Sequence, residues 1–98
     1  MTTVTYGCTG NRYKVKCSGH TTGSEKACAG VSAIVYALAG YLLNTKDVIT
    51  TEKSSLASGE AEIVFVGGTE AQTAYEMAVI GLMQLAQTFP EFVIVKKI

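Results

Sequence analysis

The chain has 98 residues, 48% of them hydrophobic and 16% charged, with a single proline; that is enough for one domain with its own core and excludes the polar profile of a disordered chain. Eight basic residues balance eight acidic ones, so the basic excess of a nucleic-acid-binding domain is missing and no direct nucleic-acid contact is expected. Three cysteines, Cys8, Cys17 and Cys28, cannot all pair and show no C-x-x-C spacing, which argues against a disulfide scaffold or a metal site and suits a reducing cytoplasm.

The opening residues, MTTVTYGCTG, lack a basic flank followed by an apolar core and are not read as a signal peptide. Residues 3–8 and 12–17 are predicted strands. In the second, Tyr13, Val15 and Cys17 alternate with Arg12, Lys14 and Lys16, the period of a strand with one buried face. Gly10-Asn11 between them suits a tight hairpin turn. The three cations read as a solvated strand face, with guidance of an acidic or RNA-bound partner as the lesser alternative.

A loop, Ser18-Gly19-His20-Thr21-Thr22-Gly23, leads to Ser24, whose hydroxyl can cap a helix over 25–44. Ala27, Val31, Ile34, Leu38 and Tyr41 mark its expected core stripe. The nearly uncharged run 27–44 is about long enough to span a bilayer. Its Gly30, Ser32 and Gly40, and the absence of anchoring flanks, favour a buried amphipathic helix instead, and no membrane contact is expected.

Residues 47–56 and 60–66 are expected to form a second hairpin turning at Ser58-Gly59. The run Ile63-Val64-Phe65-Val66 is apolar on both faces and suits a central strand. After Gly67-Gly68, the sequence Thr69-Glu70-Ala71-Gln72 matches a capping box, opening a helix to about Thr88 with Ala71, Ala74, Ala78, Leu82 and Leu85 inward. Gly67-Gly68-Thr69 lacks the Lys and glycine spacing of a phosphate loop. Pro90 stops the helix, and 92–96 is the last strand. The order β-β-α-β-β-α-β over a single domain, 1–98, predicts an α+β two-layer sandwich: a mostly antiparallel sheet with two helices on one face. So apolar a short chain, with Ala-rich runs, is expected to form a homodimer.

The chain's one histidine, His20, lies in the Gly-flanked loop, and Cys28 follows eight residues later in the first turns of the long helix. They are the candidate catalytic pair. The reacting species of a cysteine is its thiolate, which the positive end of a helix stabilises. A neighbouring imidazole can take the thiol proton and later protonate a leaving amine. The backbone N–H groups of Ala27 and Cys28 are candidate oxyanion donors. Against this stand the bland readings, a surface histidine and a small buried thiol. For Cys17 and Cys8 the packing reading is adopted. Ser32, one turn beyond Cys28, faces the same way and could orient substrate or bond the Cys28 carbonyl. Glu25 or Asp47 could orient His20, and no third catalytic residue is assigned.

Ser18-Gly19-His20 followed by Cys28-Ala29-Gly30-Val31-Ser32-Ala33 resembles the signature of the ribosomal-processing cysteine proteases. Gly81-Leu82-Met83 and Phe89-Pro90-Glu91-Phe92-Val93 are similar to that family's last helix and its turn into the final strand. The resemblance implies a small dimeric α+β cysteine peptidase that removes an N-terminal extension from a large-subunit ribosomal protein precursor, cutting after an apolar, aromatic-containing stretch. His20 matches the general base and Cys28 the nucleophile, with Gly19 and Ser32 as candidate substrate-binding positions and no cofactor. The pattern departs from the family in a shorter segment between His20 and Cys28, in Glu25-Lys26-Ala27 where Asp-Ile-Val is usual, and in Thr21 where Ala is usual. A phage-type maturation protease for capsid or scaffold protein is the alternative, and a non-catalytic binding module on the same fold is another.

Overall fold

In the computed structural model, which describes residues 1–19, 24–57 and 59–98, the first two strands are β1 (Thr2–Thr9) and β2 (Arg12–Ser18). Thr9 pairs with Arg12, so Gly10-Asn11 is a two-residue turn. Gly10 takes φ of +62° at its first position, the left-handed backbone that such hairpin turns need and glycine adopts without strain. Helix α1 (Glu25–Leu43) follows, then β3 (Ile49–Ala57), β4 (Glu60–Gly67), α2 (Thr69–Thr88) and β5 (Val93–Lys97).

The five strands form one sheet in the order β3-β4-β2-β1-β5. β1 with β2, β2 with β4 and β3 with β4 are antiparallel. Only β5 runs parallel to its neighbour, β1, with Thr2 opposite Val93. The architecture is therefore α+β with a mixed, mainly antiparallel sheet. Register puts Val4 opposite Cys17, Val15 opposite Ile63 and Tyr13 opposite Phe65, and these residues share one face. Both helices cover that face, and Val4, Val15, Phe65, Leu38, Leu42, Ala78 and Leu82 join a single core. Tyr13 stacks on Phe65 with ring centroids 5.6 Å apart.

On the opposite face Arg12 and Lys14 of β2 find partners. Arg12 Nε donates to Glu52 Oε1 at 2.6 Å, and Lys14 and Lys53 Nζ lie 3.1 and 2.6 Å from the two Glu62 oxygens. The hydrogen bonds from Lys53 and Lys14 hold the Glu62 carboxyl down to about 2. These contacts tie β3 across β4 to β2.

Several sequence expectations need correction. The third strand begins at Ile49 rather than residue 47, because the Thr45 carbonyl accepts from the N–H groups of both Val48 and Ile49 and shapes a turn there. The buried stripe of α1 is Ala27, Val31, Val35, Leu38, Ala39 and Leu42, while Tyr41 is exposed and Ile34 half-buried. Thr69 does not cap α2. Gly68 takes the capping position without a side-chain bond, which places Gln72 one residue too deep for a capping box, and its amide instead donates to Glu76 at 2.9 Å. By length and composition α1 could cross a membrane; in this fold its apolar stripe is spent on the core.

Candidate active site

The cap of α1 forms as the sequence predicts. Ser24 is extended, with φ of −143°, and its Oγ accepts from Ala27 N at 3.1 Å. The Ser24 carbonyl accepts from Cys28 N at 3.1 Å. Both expected oxyanion donors, Ala27 N–H and Cys28 N–H, are thus already bonded to the cap residue. The N–H groups of Glu25 and Lys26 are the first-turn donors with no partner inside the helix.

Cys28 is an exposed free thiol on the first turn of α1. It borders a cavity of about 100 Å³ between α1 and the β3–β4 hairpin. Its helical neighbours Val31, Ser32, Val35 and Tyr36 line one side, and Leu56, Ala57, Glu60 and Ala61 line the other. Thr2, Cys17, Gly19 and Gly59 close the end at the sheet. The walls are mainly apolar, and Glu60 is the ionisable carboxyl among them; its Oε1 accepts from Ser18 Oγ at 3.4 Å.

Three of the four predicted site residues, Gly19, Cys28 and Ser32, therefore meet at one cavity. The fourth, His20, lies outside the described residues. Ser32 faces the cavity, and among the described residues its hydroxyl makes no bond to the Cys28 carbonyl. Gly19, at the edge of the site, has φ of +90°. Its N–H donates to the Gly59 carbonyl at 2.8 Å and its own carbonyl accepts from Thr2 Oγ1 at 3.2 Å. A side chain there would place Cβ 2.5 Å from the Met1 carbonyl oxygen, so only glycine fits.

The other cysteines separate clearly. Cys17 is buried and borders the same cavity, and burial pushes its thiol up to about 11. At neutral pH it is protonated and unreactive. Cys8 is exposed rather than packed, because it sits where β1 runs past the core, and its thiol donates to the Gly10 carbonyl at 3.3 Å.

Tyr36, Leu56, Glu60 and Thr2 were not singled out from sequence. Tyr36 was within reach, since positions 28, 32 and 36 fall along one helical line. Leu56, Glu60 and Thr2 come to the site only through strand pairing, which local spacing does not encode.

Residues 1–94 match the family description "cysteine protease Prp". The chain belongs to the cysteine protease Prp family. Solved structures share its fold. The essential ribosomal processing protease Prp of Staphylococcus aureus, in complex with a covalently linked product peptide, superposes with a TM-score of 0.84 at 19% identity, covering 100% of both chains. SMU.848 from Streptococcus mutans superposes with a TM-score of 0.75 at 22% identity, covering 100% of this chain and 94% of the other. A hypothetical protein from Staphylococcus aureus gives 0.74 at 16% identity, with 100% of each chain covered. No match was found among curated proteins. The Prp family is one of cysteine proteases, so this chain is a cysteine peptidase by membership.

Proposed function

We propose that this Prp-family protease removes an N-terminal extension from a large-subunit ribosomal protein precursor, with Cys28 as nucleophile and His20 as general base. One observation carries the reading: the only exposed thiol on a helix N-terminus opens onto a mainly apolar cavity, among the described residues, beside the strand end that leads into His20. The Staphylococcus aureus relative is a ribosomal processing protease and has been seen with a substrate peptide, which supports the same substrate class here.

In this reading an apolar side chain next to the scissile bond enters the cavity between Tyr36 and Leu56, and Gly19 and Ser32 border the peptide. His20 takes the Cys28 proton, and the thiolate attacks the carbonyl carbon. The positive end of α1 stabilises the thiolate and the developing oxyanion. His20 then gives its proton to the leaving amine, leaving a thioester on Cys28. Water, deprotonated by the same imidazole, adds to the thioester and releases the acid and the free thiol.

The test is incubation with an extended ribosomal precursor and mass measurement of the products. Wild type is expected to yield one specific cut, and Cys28→Ala none while keeping its fold. Normal processing by Cys28→Ala would overturn the proposal.

We also infer a homodimer. Tyr41 and Met77 border an apolar groove between α1 and α2, and Met77 and Ile80 are more than half exposed. A second copy covering this face would remove that apolar surface from water.

A further inference from the structure

Thr2 is the buried polar side chain among the described residues, 4% exposed, and it lies at the end of the cavity that holds Cys28. Its backbone is already held: the Thr2 N–H donates to the Phe92 carbonyl at 2.8 Å. The hydroxyl makes a separate bond, 3.2 Å to the carbonyl oxygen of Gly19. Gly19 is held from three directions. The Gly59 carbonyl accepts from its N–H, the Met1 carbonyl blocks the Cβ position, and Thr2 Oγ1 fixes its oxygen.

That third contact differs in kind from the other two. A carbonyl oxygen lies in the plane of the peptide that follows it, so a bond to the Gly19 oxygen orients the peptide leading into His20. At φ of +90° Gly19 lies just beyond the last residue of β2, Ser18, and Thr2 Oγ1 donates to its carbonyl oxygen. A buried hydroxyl that lost this acceptor would be left unsatisfied, which keeps the bond in place.

We propose that Thr2 is a positioning residue for the reaction: its hydroxyl sets the Gly19 carbonyl plane, and that peptide is the one that joins Gly19 to the proposed base, His20. The inference rests on the reading of His20 as the base. Val replaces the hydroxyl with a methyl of similar shape and leaves the β1–β2 and β1–β5 pairing intact, whereas Ser keeps the donor.

The experiment measures kcat and KM on a precursor peptide, and the pH profile of Cys28 alkylation by iodoacetamide, read by peptide mass mapping so that Cys8 labelling is separated. Wild type, Thr2→Val, Thr2→Ser and His20→Ala are compared, with circular dichroism as the fold control. Thr2→Val is expected to lower kcat by about tenfold or more, the scale of a small misplacement of a catalytic group. The loss should fall more on kcat than on KM, because Tyr36 and Leu56, between which the substrate side chain would enter, are unchanged. The alkylation midpoint should rise toward that of His20→Ala, and Thr2→Ser should restore both readouts. If His20→Ala is inactive but Thr2→Val matches wild type in kcat and midpoint, the Thr2 role is overturned while the catalytic reading survives. If His20→Ala itself cleaves and alkylates like wild type, the catalytic reading fails and takes this inference with it. Should Thr2→Val not fold, Thr2→Ala is judged by the same two readouts.

Discussion

Cys17 and Cys28 border the same cavity, yet Cys17 is only 6% exposed and Cys28 is open to solvent. Burial disfavours the thiolate of Cys17 and leaves its pKa near 11, because a charge in an apolar setting loses its hydration. In the native protein near pH 8, iodoacetamide is therefore expected to label Cys28 and Cys8 and to leave Cys17 untouched until unfolding; mass mapping checks this. The same shift links folding to pH. The folded state holds the Cys17 proton to about pH 11, whereas an ordinary thiol releases it near 9.0. The unfolded state thus binds fewer protons between these values, so this contribution is present below about pH 9.0 and lost as pH rises toward 11. Urea titrations from pH 8 to 11 should show a shallower alkaline loss in Cys17→Ala than in wild type. Equal slopes would mean that the thiol ionises freely in the fold. The alternation along β2 places Cys17 inward, whereas Cys8 is exposed because a strand end can overrun the core it starts from.

At the scale of elements, α1 and α2 meet through small residues. A Cβ on Gly81 would lie 2.9 Å from Ile34 Cδ1, and one on Gly30 would lie 2.7 Å from Leu85 Cδ2. Each glycine gives room to a large side chain of the other helix. Gly81→Val is expected to destabilise by about 1–3 kcal/mol through overpacking, read as a lower urea midpoint at unchanged slope, with the Cys28 alkylation profile unaltered. A wild-type midpoint would mean that Ile34 turns aside at no cost. Both helices were legible from periodicity and from Ser24 and Pro90. Which residue ends a stripe was not: Tyr41 fits helical spacing, yet it faces outward because the α1–α2 crossing sets how far the core follows the helix. The capping box at Thr69 failed for a related reason, since Gly68 accepts the capping position and moves every later residue one place inward.

For the molecule as a whole, the two layers leave one apolar helical face open. If a second copy covers it, sedimentation equilibrium should give twice the 10.3 kDa chain mass, and Met77→Glu, at a residue 70% exposed, should return the mass to one chain without changing the circular dichroism spectrum. A wild type that stays at one chain mass at micromolar concentration would remove the homodimer.

The amino-acid sequence alone determined the element order, the inward face of β2, the cap at Ser24, and the presence of a single imidazole upstream of a helix-borne thiol, because each depends on residues close along the chain. Tertiary structure decided that β5 lies parallel beside β1, that Leu56 and Glu60 come across to Cys28, that Ala27 and Cys28 N–H are consumed by the cap, and that Thr2 reaches Gly19. Those outcomes depend on sheet register and on how the layers bury apolar surface together, and strand register is a property of paired partners rather than of either strand's own pattern.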